Sequence, residues 1–529
     1  MNRAALVSLV LPLTAGTLRA GTPPVAAPCF DVRAFGATGD GHTLDTAAIN
    51  RAIEAAAARG GGVVCLPPGT YLSGSIHLRS NLTLALEAGA TLEAAPPAEG
   101  VYDEPEPNEW TDKFHYQDFG HGHWHNSLLW GEGLHDVAIL GPGLIHGTGL
   151  DAEVNRFADP AKGESQYHPN PPHSGNKSIA LRDCHNVVLR DLSILHGGWF
   201  AILATGVNNL VVDHLMIDTN RDGMDIDGCQ NVRVMRCSVN SPWDDGICLK
   251  ASYGLGSLHH CENITISDCL VCGSYDEGSL IDGSFKVSTP DYRSWATGRI
   301  KLGTESNGDF KNIAITNCVF DRCRGLAIES VDGAHIEDVV ISNITMRHVH
   351  QAPVFIRLGA RLRGPPGTRV GSIRRVSISH LVVSDADWNL GCVISGIPGH
   401  PVEDIHFSDL TLVQQGGSGE KLREREPPEE EKSYPEPSMF GDMPSFGFFL
   451  RHVQGVTMHH VQITTDQPDA RPAMVLDDVT GAWFDHLNFQ RGTVTPGMFD
   501  LRHVTDFSVT ATRGIADTVR PALVEREQF

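Results

Sequence analysis

The chain has 529 residues and a formal net charge of −23, with 41% hydrophobic residues, 7% aromatics and 55 glycines. That charge excludes a nucleic-acid binder, which needs a Lys/Arg surplus to meet phosphates, and any acidic polymer must be met by local basic groups. A glycine-rich, aromatic-poor soluble composition suits short strands with tight turns.

The chain opens with MNRAALVSLVLPLTAGTLRAG, one basic side chain, an apolar run from Ala4 to Ala15 and small residues up to Ala20. This predicts a secretory signal over residues 1–20, too short to span a bilayer, and export to a periplasm or the medium. Residues 21–529 then form one domain. No later stretch reaches the roughly 18–20 consecutive apolar residues that a membrane helix needs, so no membrane association is expected.

Next comes DTAAINRAIEAAAARGGGVVCLPPGTY, which predicts an amphipathic helix with an Asp45-Thr46 cap. It ends at Gly60–Gly62, before the strand VVCL. Such a helix covers strand edges that would otherwise invite aggregation.

A first insertion, residues 93–127, contains FHYQDFGHGHWHN. On a strand, His121, His123 and His125 share a face. They can line a sugar groove with Trp124 or Trp130, pack, or bind a transition metal. Groove lining is the favoured reading, with His123 and Trp124 as substrate contacts and no metal or cofactor.

From Asp136 onward one phrase returns: CHNVVLRDLSIL, VNNLVVDHLMI, CQNVRVMRCSV, CENITISDCLV, FKNIAITNCVF, HIEDVVISNITM and later copies. Each is two β-rich runs joined by a polar residue, and uninterrupted copies recur within the period of a solenoid. One unit cannot bury its apolar face, whereas a stack builds a continuous core and ladder. The fold class expected is all-β, a right-handed parallel β-helix with an N-terminal capping helix. Leucine does not recur at leucine-rich-repeat offsets, and no propeller signature is present.

Of the 12 cysteines, Cys184, Cys229, Cys261 and Cys318 recur at strand ends, and Cys237 and Cys269 one strand later. These read as a packed ladder of free thiols in preference to a disulfide framework. The Cys269–Cys272 pair has no second half to complete a zinc site. A second insertion, residues 416–445, carries a charge run from Glu420 to Lys432 that reads as a solvated loop.

The stretch TNRDGMDIDGCQNVRVMRCSVNSPWDDGICLK places Asp222 and the Asp244-Asp245 doublet one repeat apart. Strands of adjacent coils lie about 4.8 Å apart, so the three carboxylates should converge. Metal-free glycoside hydrolysis needs one carboxylic acid and one carboxylate, and crowding with burial raises one pKa.

These motifs, with FDVRAFGATGDGHTLDTAAINRAI and GGGVVCLPPGTY, resemble the polygalacturonase family of glycoside hydrolases, family 28. The resemblance implies an inverting hydrolase of a pectic polysaccharide or oligosaccharide, with Asp244 as general acid and Asp222 and Asp245 activating water. Asn220-Arg221-Asp222 stands where the family has Asn-Thr-Asp. The family's Gly-His-Gly is missing before LGTES, and Ala327-Ile328-Glu329 occupies the place of its Arg-Ile-Lys. A literal Arg299-Ile300-Lys301 falls one coil earlier.

Arg299 and Lys301 flank Ile300 and share a face, so they can grip an acidic sugar by an altered route. Alternatively, Glu329 repels a carboxylate and the sugar is neutral, such as rhamnose. A salt bridge from Lys301 to Glu305 or Glu329 is a purely structural use of the same residues. The expected substrate contacts are therefore Asn220, Lys250, Arg299, Lys301, Glu305, Glu329, His123 and Trp124. A calcium-dependent pectate lyase and a non-catalytic carbohydrate-binding solenoid are the competing classes. The oligomeric state is left open.

Overall fold

A computed structural model describes residues 29–117, 119–152, 171–287, 296–489 and 497–529. The expected signal, residues 1–20, lies outside them.

The repeated phrases fold as in-register parallel strands. His185–Arg190 lies against Asn208–Asp213, then Gln230–Met235, Cys261–Ser267 and Phe310–Thr316. Val187, Leu210, Val232, Ile264 and Ile313 are register partners in succession, and each is at most 2% exposed. Period-two alternation therefore sends one side of every strand into a continuous column of apolar side chains.

Two further faces complete each coil. One stacks Ser193–Leu195, Met216–Asp218, Ser238–Asn240, Leu270–Cys272 and Val319–Asp321. The other, which carries the candidate site, stacks Phe200–Thr205, Asp222–Asp227, Ile247–Ala251, Ile300–Ser306 and Arg324–Ser330. Among the described residues 37 strands join into one hydrogen-bonded system, a parallel β-helix.

The polar joint in each phrase now has a physical reason. Asp191, His214, Arg236, Asp268 and Asn317 all have φ between 56° and 59°. The chain turns each corner through one left-handed residue, which Asn and Asp tolerate and β-branched residues do not.

The capping helix spans Thr46–Ala57 and buries Ala48, Ile49, Ala52, Ile53 and Ala56. Asp45 precedes it, but its carboxylate accepts from the Thr38 and Gly39 amides at 2.8 and 3.0 Å and not from its own helix. The exit is specific to glycine: Gly61 has φ of 124°, and a Cβ there would meet the Asn81 carbonyl oxygen at 2.3 Å. At the other end Thr518–Arg520 and Val524–Gln528 pair antiparallel with Phe499–Thr510, a closure that the repeats do not announce.

Cys184, Cys229, Cys237, Cys261, Cys269 and Cys318 are free and buried, as expected of a packed ladder. Cys272 is free and buried as well, so the Cys269–Cys272 pair packs. Outside that ladder Cys29 and Cys65 form a disulfide.

Residues 416–445 depart from the solvated-loop reading. They run along the site-bearing face, tied down by a row of buried arginines. Arg357 donates to the carbonyls of Glu429 and Glu430 at 2.7 and 3.0 Å, and Arg451 donates to Pro427 O at 2.7 Å. Arg502 reaches the Arg423 carbonyl at 3.0 Å. Arginine forks fill the unpaired carbonyls of an otherwise irregular strap.

Candidate active site

Asp222 begins the strand Asp222–Asp227, and the next coil pairs Met224 with Ile247 and Asp227 with Lys250. The same register sets Asp222 beside Asp245, one coil on. Oxygens of Asp222, Asp244 and Asp245 all lie within 4.8 Å of one another. The convergence expected from the repeat spacing is therefore present.

The three carboxyls differ in surroundings. Asp222 and Asp245 are each 2% exposed, whereas the Asp244 side chain is 29% exposed. Burial, with the Asp225 and Asp244 charges beside it, pushes the Asp222 carboxyl well above the usual range, against Lys250 and Arg221. Burial would also raise Asp245, but Arg299, Lys301 and Lys250 outweigh it and hold Asp245 well below the ordinary value. Arg299 Nε donates to Asp245 at 2.7 Å and Lys301 Nζ lies 3.1 Å away. Asp244 faces Arg221 at 2.9 Å.

Arg299 and Lys301 lie in the coil after the aspartate doublet and Ala327-Ile328 in the next, as the repeat register required. Lys301 forms the ion pair with Glu329, at 3.5 Å, and not with Glu305. Thr304 donates to Glu329 at 3.1 Å, and burial, opposed by Lys301 and Arg299, pushes Glu329 up to about 7. Glu305 instead pairs with Lys250 at 3.0 Å. Burial alone would raise Glu305, yet Lys250, His121 and Arg361 hold it well below the carboxylate range. Asn220 is half-buried beside the trio, and its carbonyl accepts from the Trp243 amide at 3.3 Å.

Two expected sugar contacts are corrected. Trp124 is fully buried, donates from Nε1 to Thr205 at 3.0 Å and packs on Ala180, Phe200 and Leu203, so no ring face is free for a sugar. His123 is 2% exposed and pairs with Asp112 at 3.1 Å. The three alternate histidines are not on a strand: a 3-10 turn over Phe119–Gly122 sends them apart. His121 meets Asp225 at 3.0 Å and His125 meets Glu132 at 3.0 Å. Trp130, the other stacking candidate, stacks on His125 and donates to Asp103 at 2.7 Å.

Several site residues escaped the sequence reading. Asp225 faces outward between core-facing Met224 and Ile226, a signal present in DGMDID. The strap supplies Glu436, which receives Arg299 Nη2 at 2.5 Å and Arg324 at 3.1 Å. It also supplies Tyr434, whose hydroxyl oxygen lies 3.0 Å from Thr304 Oγ1. No periodicity in residues 416–445 announces either one. Among the described residues, buried Asp222 Oδ1, Asp225 Oδ1, His121 Nδ1 and Glu329 Oε1 have no hydrogen-bond partner, a concentration of unsatisfied polar atoms around the trio.

The family model described as Rhamnogalacturonase A/epimerase, pectate lyase-like, matches residues 29–103, and the right handed beta helix region model matches 163–291. An exo-poly-alpha-D-galacturonosidase of Dickeya chrysanthemi is 26% identical over 258 residues, 42% of this chain and 42% of that protein. A probable polygalacturonase of Vitis vinifera is 25% identical over 232 residues, 41% of this chain and 43% of the relative. The chain thus spans about two fifths of the length of these curated relatives. An exopolygalacturonase structure from Thermotoga maritima superposes with a TM-score of 0.57 at 20% identity, over 73% of this chain and 86% of the other. That likeness bears on the fold. The chain is similar to polygalacturonases over about two fifths of its length and is built as a right-handed parallel β-helix.

Proposed function

We propose that this protein is an exported glycoside hydrolase that cleaves a pectic polysaccharide or oligosaccharide at the Asp222-Asp244-Asp245 trio. The observation that carries the reading is the convergence of three carboxyls within 4.8 Å in opposed electrostatic settings. Separated proton affinities are what acid-base cleavage of a glycosidic bond requires.

Asp245, kept ionised by Arg299 and Lys301, orients the attacking water and takes its proton as the water oxygen bonds to the sugar carbon. Asp222 holds the proton in the free protein. Asp244 is the member of the trio that solvent reaches, so it meets the leaving oxygen and relays that proton. This keeps Asp244 in the acid position that the family resemblance implies, with the proton stored one coil away. The Cys29–Cys65 disulfide supports an oxidising compartment.

A lyase would need these carboxylates for a divalent cation. Asp244 and Asp245 are already matched by Arg221, Arg299 and Lys301, which favours hydrolysis. Incubation with homogalacturonan and rhamnogalacturonan fragments, with products separated by chromatography, tests the reading. Saturated sugars with new reducing ends support it; an ultraviolet-absorbing unsaturated product, lost in chelator, refutes it. The first-formed anomer tests the inversion implied by the resemblance. Carboxyl groups of inverting enzymes usually stand about 6.5–9.5 Å apart, wider than this trio.

A further inference from the structure

The cations expected to grip an acidic sugar are already engaged by the protein itself. Arg299, at 2% exposure, spends its fork on Asp245 and Glu436. Arg324 adds a second guanidinium to Glu436 at 3.1 Å, and Lys301 lies between Asp245 and Glu329. Three cations thus meet three carboxylates. A uronate entering here would either face Glu436 and Asp245 as like charges or have to displace Glu436.

Displacement is opposed by the way the strap is tied down. Besides Arg357 and Arg451, the Ala360 amide donates to Glu431 O at 2.6 Å, a few residues from Glu436. Exchanging one carboxylate for another gains no new ion pair, while loosening the strap breaks several hydrogen bonds. Tyr434 completes the setting. Its hydroxyl end is anchored on Thr304, with Lys301 and Arg361 at 5.5 and 5.8 Å from the ring, yet 52% of the residue remains exposed. A partly exposed, anchored aromatic residue beside the trio can pack against the apolar side of a sugar.

We propose that Glu436 is a specificity-determining residue, a resident carboxylate that fills the Arg299-Arg324 grip and restricts the adjoining subsite to an uncharged sugar packed on Tyr434. This rests on reading the aspartate trio as a glycan-cleaving centre, and it names the substrate class for that centre.

The test is calorimetric binding of galacturonate and its methyl ester, which differ in charge at one position, to the wild-type protein and to Glu436→Gln. Binding needs no turnover, so failure of the hydrolase reading, seen as no cleavage of any pectic glycan, is scored separately. The wild type should bind the ester about tenfold more tightly than the acid. Glu436→Gln, which frees two guanidiniums for a charge-assisted bond, should reverse that order by a similar factor. Tyr434→Ala should weaken ester binding in both backgrounds. A wild-type protein that prefers the acid, or an ester-to-acid ratio that Glu436→Gln leaves unchanged, overturns the proposal. The wild-type comparison stands even if the variant fails to fold.

Discussion

At the residue scale, the candidate site sets unlike environments around like groups. Asp222 is raised by burial and by the Asp225 and Asp244 charges, so its proton survives to a pH at which an ordinary carboxyl has lost it. Rate should therefore fall as pH rises through that elevated value. Asp225→Asn removes one of the charges that raise it, so the alkaline limb of kcat/KM should move to lower pH, and an unmoved limb would mean that Asp222 does not supply the proton. Glu329 gives a stability counterpart. Its folded pKa of about 7 lies above the ordinary 4.5, so ionising it in place costs stability as pH climbs through that interval. Glu329→Gln escapes this cost, and the Tm of the variant relative to wild type should rise between pH 5 and pH 8. The trio was legible because its spacing equals one coil. Trp124 was misread because sequence marks a Trp near a groove but does not say that Ala180, Phe200 and Leu203 close over its ring.

At the element scale, the corners and the strap behave oppositely. Corner residues repeat, so their polar character stood out, and a second repeated left-handed position, an Asn near the start of each strand such as Asn186 in His185–Arg190, joins laterally. Asn209 donates to Asn186 at 2.9 Å, Asn263 to Asn231 at 3.2 Å and Asn312 to Asn263 at 2.7 Å, all at positive φ. The strap 416–445 has no repeat, and its acidic run looks like any solvated segment. Its order comes from arginines on other strands, among them Arg357 and Arg451. Only the register of those strands reveals that they stand in one row: Arg357 pairs with Ser395, and Ser395 with Arg451. Arg357→Met keeps the length of the stem but leaves the Glu429 and Glu430 carbonyls without their donor. Limited proteolysis should then cut within 416–445 much faster than in wild type, with the solenoid left intact. Equal cleavage rates would show that the strap is held by other contacts.

At the scale of the whole molecule, the solenoid is a one-dimensional stack whose two ends need different covers. The Ala-rich helix before Gly60–Gly62 was readable as one cover by its amphipathic period. The C-terminal cover was not, because Thr518–Arg520 and Val524–Gln528 are short strands with no fully buried residue and no apolar period. They protect the edge of Phe499–Thr510, which otherwise offers a row of unpaired backbone groups. Removal of residues 518–529 should produce concentration-dependent association in sedimentation while leaving the melting of the core largely unchanged. A monomeric truncated protein would assign that edge another cover.

The stack also brings the chemistry together, since it is the coil that sets Asp222 beside Asp245. The most direct measurement is the initial rate of sugar release from pectic fragments by the wild-type protein and by Asp222→Asn, Asp244→Asn and Asp245→Asn. Each substitution should lower the rate by about 10²–10⁴-fold while the variants keep the fold of the wild type. Cleavage that persists in all three variants, or a wild type that binds pectic glycans and never turns them over, would contradict the account.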